Sequence, residues 1–248
     1  MKWQCRILFL LSFLFIPFYC LSAQELRILT EELPPYSFSD ENGRAAGFVT
    51  EVVREMVGRT DLTIAGGEIK VLPWARAYQM VRQEENVLLF TVTRTPERDE
   101  LFKWIGPVAE RTIWLWKMKE RKDIVITSLR DAGKYRVGDV RGYSTAEYLT
   151  NLGFVLDYCN SDEHNFKKLI YGRIDILPAL ELSAAYHMKQ NGRDSDQLEK
   201  LIVLDDRYDY YLVLNKETSD TIVSRLHAAL DGMKRDGTYE SIRTGYLR

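Results

Sequence analysis

The chain has 248 residues, 46% hydrophobic and 28% charged, with 34 basic against 36 acidic side chains, the make-up of a globular protein of one or two domains. Its formal net charge of −2 excludes the basic surface on which nucleic-acid binding depends. Three cysteines and three dispersed histidines supply no disulfide framework and no metal-ligand spacing, so neither a metal nor another cofactor is expected.

Taken in order, Met1 to Arg6 carries Lys2 and Arg6, and an uncharged apolar run from Ile7 to Leu21 ends in the small residues Ser22 and Ala23. That is a secretory signal peptide over residues 1–23, cleaved near Ala23. The run falls short of the roughly 20 apolar residues of a retained anchor and is broken by Pro17. Pro17-Phe18-Tyr19 lacks the small residues that a lipoprotein site wants before Cys20. Cleavage removes Cys5 and Cys20, so the exported chain keeps only Cys159 and must be held by its core. Cys159 ends the apolar pattern 154–159 and reads as a buried structural thiol; His164, His187 and His227 read as surface helix residues.

Leu26 to Leu29 reads as a strand that Pro34-Pro35 breaks into a loop, leaving Tyr36 just past a strand end. Gly47-Phe48 leads to a helix from about Thr50 to Val57, with Val52, Val53, Met56 and Val57 on one face. Thr63 to Leu72 holds a strand interrupted by Gly66-Gly67. A helix starts at Trp74 after Pro73, and Trp74, Ala77, Tyr78 and Val81 recur at core spacing. Arg76 lies off that stripe, a cation in a first helical turn and a candidate for an anionic ligand.

Val87 to Val92 is a buried strand running into a helix, with Thr95 as N-cap and Pro96 at the first position. Arg98 then falls where the helix dipole favours acids. It is either a solvated side chain compensated by Glu97, Asp99 and Glu100, or one turned back over the strand end. In the second case it holds an anion with the hydroxyls of Thr91 and Thr93, most naturally a carboxylate. The first hundred residues thus alternate strand and helix in the manner of a parallel α/β sheet.

After the Gly106-Pro107 turn, Ile113 to Lys117 is an aromatic strand, and the charged stretch 119–123 marks a domain crossing. A second alternation follows: strand 135–140, loop Arg141-Gly142-Tyr143-Ser144, helix 145–152, strand 154–159, helix 162–171, strand 174–177 and helix 181–190. Leu201 to Leu204 is a further strand. Tyr208 to Leu214 is a second aromatic strand that returns the chain, and amphipathic helices from Thr221 end it. This order predicts a discontinuous two-lobe α/β architecture, with residues 24–113 and 212–248 in one lobe and 114–211 in the other. Strand ends of both lobes would face a shared cleft, where open α/β sheets hold ligands.

The ordered set Pro35-Tyr36, Gly47-Phe48, Thr91-Val92-Thr93-Arg94-Thr95-Pro96-Glu97-Arg98, Val140-Arg141-Gly142 and Gly172-Arg173-Ile174-Asp175 resembles the periplasmic solute-binding proteins of family 3. These are polar amino-acid receptors of ABC importers, and the likeness covers nearly the whole mature chain. Leu72-Pro73-Trp74-Ala75-Arg76-Ala77-Tyr78 is similar to a subgroup of that family. The resemblance implies a type II periplasmic-binding-protein (Venus flytrap) fold with two crossover strands, a periplasmic location, and a monomer that closes on its ligand. It matches Thr91 and Thr93 to the family's hydroxyl pair and Arg98 to its carboxylate-binding arginine. Tyr36 and Trp74 fall near its ligand-covering contacts, and Gly142-Tyr143-Ser144 matches its second-lobe loop. Two acidic positions depart from the pattern: Leu180 stands where the ammonium-gripping acid is usual, with Glu181 beside it, and Val49-Thr50 replaces an acid after Gly47-Phe48.

The reading is a non-catalytic receptor for a small carboxylate-bearing ligand, amino-acid-like or an organic acid, that presents it to an ABC permease or a membrane sensor. Its candidate ligand residues are Tyr36, Trp74, Arg76, Thr91, Thr93, Arg98, Arg141, Gly142, Tyr143 and Ser144. Two alternatives stand beside it. Gly142-Tyr143-Ser144-Thr145-Ala146 partly matches a nucleophile elbow but lacks the last glycine and a placed histidine, while the same fold hosts a dehydratase that resembles these receptors. The other alternative is a ligand-sensing partner of a membrane kinase.

Overall fold

The computed structural model describes residues 24–246; the signal-peptide reading falls on residues 1–23, outside them. The first sheet is built around β1 (Glu25–Thr30), which continues into a loop and a small hairpin of β2 (Phe38–Ser39) and β3 (Ala45–Ala46). Helix α1 (Phe48–Gly58) follows. Its cap, Gly47, has φ 111°, and a Cβ there would stand 2.7 Å from the Tyr36 carbonyl oxygen, so only glycine lets the loop close against the helix start. The predicted 63–72 strand is split at its glycines into β4 (Thr63–Ile64) and β5 (Lys70–Val71), both pairing with β1. Helix α2 (Trp74–Gln83) starts after Pro73, as its sequence predicts.

Strand β6 (Val87–Thr93) is buried at all seven positions, because α-helices cover both faces of the sheet. Leu88 and Phe90 join the core under α1, whereas Val87, Leu89 and Val92 pack with Trp74, Ala77 and Val81 of α2. The helix expected next is a single turn, α3 (Pro96–Asp99), and Thr95 caps it without a side-chain hydrogen bond. β7 (Phe102–Ala109) then begins at once. It runs straight through Gly106-Pro107, where the sequence predicts a turn; Pro107 is exposed and β7 is the sheet's edge strand, where a missing N–H is cheap.

The chain crosses to the second sheet at β8 (Ile113–Met118). There follow α4 (Leu129–Ala132), β9 (Val137–Val140), α5 (Ser144–Asn151), β10 (Leu156–Cys159), α6 (Asp162–Ile170), β11 (Leu177–Leu180), α7 (Glu181–Gln190) and β12 (Leu198–Asp205). β13 (Tyr210–Asn215) returns to the first sheet, and α8 (Asp220–Asp236) and α9 (Thr238–Tyr246) pack on the face shared with α1.

The first sheet runs β4-β1-β6-β13-β7 and is mixed rather than parallel, since β13 is antiparallel to both β6 and β7. The second part holds an antiparallel β11-β8-β12 sheet beside the parallel pair β10-β9, bridged at Val137 and Ile176. The expected strand at 174–177 begins at Leu177 and pairs antiparallel with β8, not as another parallel strand. The return from β12 to β13 accounts for the mixed sheet: it re-enters as a direct strand without a crossover helix.

The histidine expectation needs one correction. His187 is buried, with its ring stacked on Phe166 at 4.9 Å, because it sits on the inner face of α7 with Ala184 and Met188. Cys159 is half-buried and its thiol donates to the carbonyls of Asp139 and Ser161; burial pushes its pKa up to about 11, so it is not a poised nucleophile.

Candidate ligand-binding cleft

Strand ends of both sheets open onto one cleft, in which about 40 Å³ is free to a water-sized probe. Its first wall comes from the loop after β1, from Trp74 at the start of α2, and from Thr91, Thr93 and Arg98 at the end of β6. Near that end β6 carries one extra residue relative to β13, and Thr91 takes φ 63°. A β-branched residue in the left-handed region is strained by about 1–3 kcal/mol. The bulge re-aims the strand end at the cleft, which is where such strain is usually tolerated.

The second wall is the loop and helix start that follow β9. Tyr143, Ser144 and Thr145 line it, with Asp162 at the start of α6 and Pro178, Ala179 and Leu180 from β11. Helix α5 begins at Ser144, so its first N–H groups and positive dipole end face the cleft. At the back stand Arg111, between β7 and β8, and Tyr210 at the start of β13.

The walls are tied together. Trp74 Nε1 donates to the Gly142 carbonyl at 2.8 Å, and Arg98 Nη2 donates to the same oxygen at 2.9 Å and to Glu147 Oε2 at 2.7 Å. Arg98 is 2% exposed, lies over the rings of Trp74 and Tyr78, and keeps a buried Nε without a partner. Gly142 has φ 80°, and a Cβ there would stand 3.4 Å from the Trp74 indole, so a larger residue would press on this contact. Tyr143 Oη donates to Glu31 Oε2 at 2.6 Å, and Ser183 Oγ donates to the Pro34 carbonyl at 2.6 Å. Arg111 forms a buried ion pair with Asp205 at 2.6 Å and donates to Ser144 Oγ at 3.2 Å.

Burial dominates the electrostatics. It pushes the Glu31 carboxyl up to about 8, against the Tyr143 hydrogen bond that lowers it, and pushes Asp162 up to about 7. Asp139, behind the cleft on β9, is raised to about 8 by the same cause.

Six candidates from the sequence therefore line this cleft: Trp74, Thr91, Thr93, Arg98, Tyr143 and Ser144. Gly142 borders it through its carbonyl. The other three need correction. Tyr36 is one layer behind, packed edge-on against Tyr210 at 5.9 Å, because the loop folds inward against β13. Arg76 is exposed; two residues after Trp74 a helix has turned by about 200°, so it faces away. Arg141 is exposed at the outer mouth, stacked on Tyr158 at 4.6 Å, since it precedes the turn into α5.

A family model of bacterial extracellular solute-binding proteins, family 3, matches residues 26–248. The chain belongs to this family. Solute-binding proteins of family 3 are binding receptors, not enzymes. No curated protein is a recognisable sequence relative of the chain.

Solved structures share its fold. An ancestral arginine-binding protein bound to arginine aligns with TM-score 0.79 and 22% identity, over 90% of this chain and 98% of its own. A histidine kinase sensor domain with similarity to periplasmic binding proteins gives 0.80 and 18%, over 90% and 96%. An ABC uptake transporter substrate-binding protein from Streptococcus pneumoniae with bound histidine gives 0.78 and 18%, over 90% and 92%. The family 3 receptor described here is thus a two-lobed type II periplasmic-binding-protein fold.

Sequence reasoning missed Glu31, Arg111, Asp162 and Tyr210 in this family 3 cleft. Glu31 follows shortly after the predicted strand 26–29, a signal that could have flagged it, whereas Tyr210 falls inside the predicted strand 208–214 and becomes a strand end only in the folded β13. Arg111 and Asp162 carry no local signal, since each looks like a solvated charge beside an element boundary.

Proposed function

We propose that the protein is a periplasmic receptor for a small carboxylate-bearing solute, closing on a hinge to present it to an ABC permease or a membrane sensor. One observation supports this best: the buried Arg98 guanidinium, the Thr91 and Thr93 hydroxyls and the positive start of α5 converge on one cleft. Backbone amides at a helix start and a guanidinium fork are complementary to a carboxylate. Trp74 and Tyr143 supply aromatic area for the ligand body. The cross-cleft hydrogen bonds of Trp74, Arg98 and Tyr143 are the contacts that closure makes, and a ligand that bridges the walls adds to them only in the closed state.

In this reading the hinged bodies are residues 24–113 with 212–248, and 114–211. The pairing of Tyr210 and Tyr211 with β6 supports drawing the return crossing slightly earlier. Solved neighbours that are an arginine-binding protein, a histidine-bound transport protein and a kinase sensor domain agree with a small-molecule ligand and with both kinds of partner.

The test is a thermal-shift screen of amino acids and organic acids on the mature protein, followed by calorimetry of the best binder. Arg98→Ala is expected to weaken binding by about 3–5 kcal/mol, as removal of one partner from a buried charged pair does. Affinity within a few-fold of wild type, or hits confined to neutral sugars, would exclude a carboxylate held by Arg98.

A further inference from the structure

A groove where α4 meets the turn after α5 shares no lining residue with the cleft. About 740 Å³ of it is free to a water-sized probe, against about 40 Å³ in the cleft. Leu129, Tyr135, Tyr148, Leu152, Phe154 and Val155 make its apolar lining. The apolar pattern of 154–159 predicts a strand from Phe154, but β10 begins only at Leu156, after a turn in which the Phe154 N–H donates to the Leu149 carbonyl. Val155 is thereby left 93% exposed, and Leu152, just past the end of α5, is 51% exposed. Val125 is 66% exposed, and its backbone N–H donates to the Tyr135 hydroxyl at 3.2 Å, so it extends the same patch. Three of the seven large apolar side chains exposed among the described residues therefore meet at one place. A lone exposed valine is ordinary, whereas a contiguous apolar recess marks an interaction site.

Charge and shape narrow what fits it. The lining holds two arginines, Arg130 and Arg136, and no acid, in a chain whose formal net charge is −2. Arg136 pairs with Asp175 yet keeps 56% of its side chain exposed. Arg130 is exposed and forms no ion pair among the described residues. Asp131, beside it in sequence, is already engaged by Thr127, Ser128 and Lys134. Tyr148 and Leu152 also line a second recess, next to Thr95, Glu97 and Arg207, so the groove continues along α5. An elongated concave groove suits a peptide segment laid along it, whereas a bilayer surface cannot follow the recess.

We propose that this groove docks an acidic segment of a partner protein, which seats apolar side chains against Leu152, Phe154 and Val155 and sets carboxylates against Arg130 and Arg136. The guanidinium forks give such carboxylates charge-assisted hydrogen bonds, and the recess removes the apolar anchors from water. The inference goes beyond the solute-receptor reading and does not rest on it, because no groove residue lines the cleft.

The experiment pans phage-displayed random peptides on the mature protein and titrates synthetic copies of the enriched peptides by fluorescence polarisation. The same titrations are run on Val155→Glu and Arg130→Glu, surface changes whose folding is checked by circular dichroism. Enriched peptides are expected to place Asp or Glu next to Leu, Ile, Phe or Trp, and to lose at least about tenfold in affinity with Val155→Glu. Arg130→Glu should weaken them too, and should gain affinity for copies in which the acids are replaced by lysine. No enrichment over the bare support, enrichment of basic peptides, or binding that neither variant moves overturns the proposal. Two further measurements separate other occupants. Co-sedimentation with phosphatidylglycerol vesicles that Val155→Glu abolishes, without peptide binding, assigns the groove to a membrane surface and overturns the proposal. Concentration-dependent dimerisation in analytical ultracentrifugation that Val155→Glu abolishes assigns it to a second copy of the chain, with the same consequence.

Discussion

Arg98 and Arg111 are both buried guanidinium groups with carboxylate partners, yet their partners differ in what they can contribute. Glu147 is 47% exposed on its side chain, so its pair with Arg98 is screened on one side and adds little to stability. Asp205 is 7% exposed, and the Arg111–Asp205 pair is closed off between the two crossings of the chain. Breaking a pair of this second kind leaves one charge buried alone. Asp205→Ala is therefore expected to lose about 3–5 kcal/mol of unfolding free energy, read from urea denaturation. The double variant Arg111→Met with Asp205→Leu should recover most of that loss. A double variant no more stable than Asp205→Ala would mean that the pair's value lies in its geometry and not in mutual charge compensation.

At the scale of elements, the cleft is made by helix starts. Pro73 ends one segment and starts α2, which places Trp74 with its ring over the β6 end while Ala77 and Val81 hold the helix on the sheet. From there the indole reaches the Gly142 carbonyl and meets Tyr143 edge-on at 5.9 Å. Trp74→Phe keeps the aromatic area and removes the donor. Its expected effect on unfolding is only about 1 kcal/mol, the net value of one hydrogen bond. It should also shift the unliganded protein toward an open form, seen as a larger radius of gyration in small-angle X-ray scattering. An unchanged scattering profile would show that this contact does not bias closure. The same element scale explains why strand and helix order was legible in the sequence: apolar runs such as Val87–Val92 and the Ile222, Leu226, Leu230 and Met233 stripe of α8 write the burial of an element into its own residues. Sheet direction was not legible, because a strand that is buried on both faces has the same pattern whether its partner runs parallel or antiparallel.

For the whole molecule, the buried acids set a pH dependence. Glu31, Asp139 and Asp162 titrate near 8, 8 and 7 in the folded protein, against 4.5, 3.8 and 3.8 as ordinary carboxyls. Between those limits the folded state binds protons that the unfolded state has released, so stability falls as pH rises through the window. His187 works the other way over a narrower range: burial lowers it from 6.5 to about 4, and its contribution is lost as pH falls through that interval. Asp175, held low by Arg136 and Arg121, adds stability that is lost only on acidification below the usual carboxylate range. The melting temperature of the unliganded protein is therefore expected to decline from about pH 6.5 to pH 8, where the acids act unopposed by His187. Asp139→Asn should flatten the decline, and a melting temperature that rises over that interval would contradict the burial of these carboxyls.

By itself the sequence determined the alternation of elements, the two-lobed class and most of one wall of the cleft. Periodicity, proline and glycine positions, and the hydroxyl-rich strand end before Arg98 are local features, and local features are what a linear pattern can carry. Tertiary structure alone decided which charges became partners. Arg76 and Arg98 each sit near a helix start, and only packing turns one to solvent and buries the other beneath Gly142. Asp162 and Asp205 look like surface acids until α6 and β12 are folded against the cleft and the crossing. The physical reason is that the cost of a charge depends on the solvent it loses and the partner it gains, and both are set by residues far away in the chain.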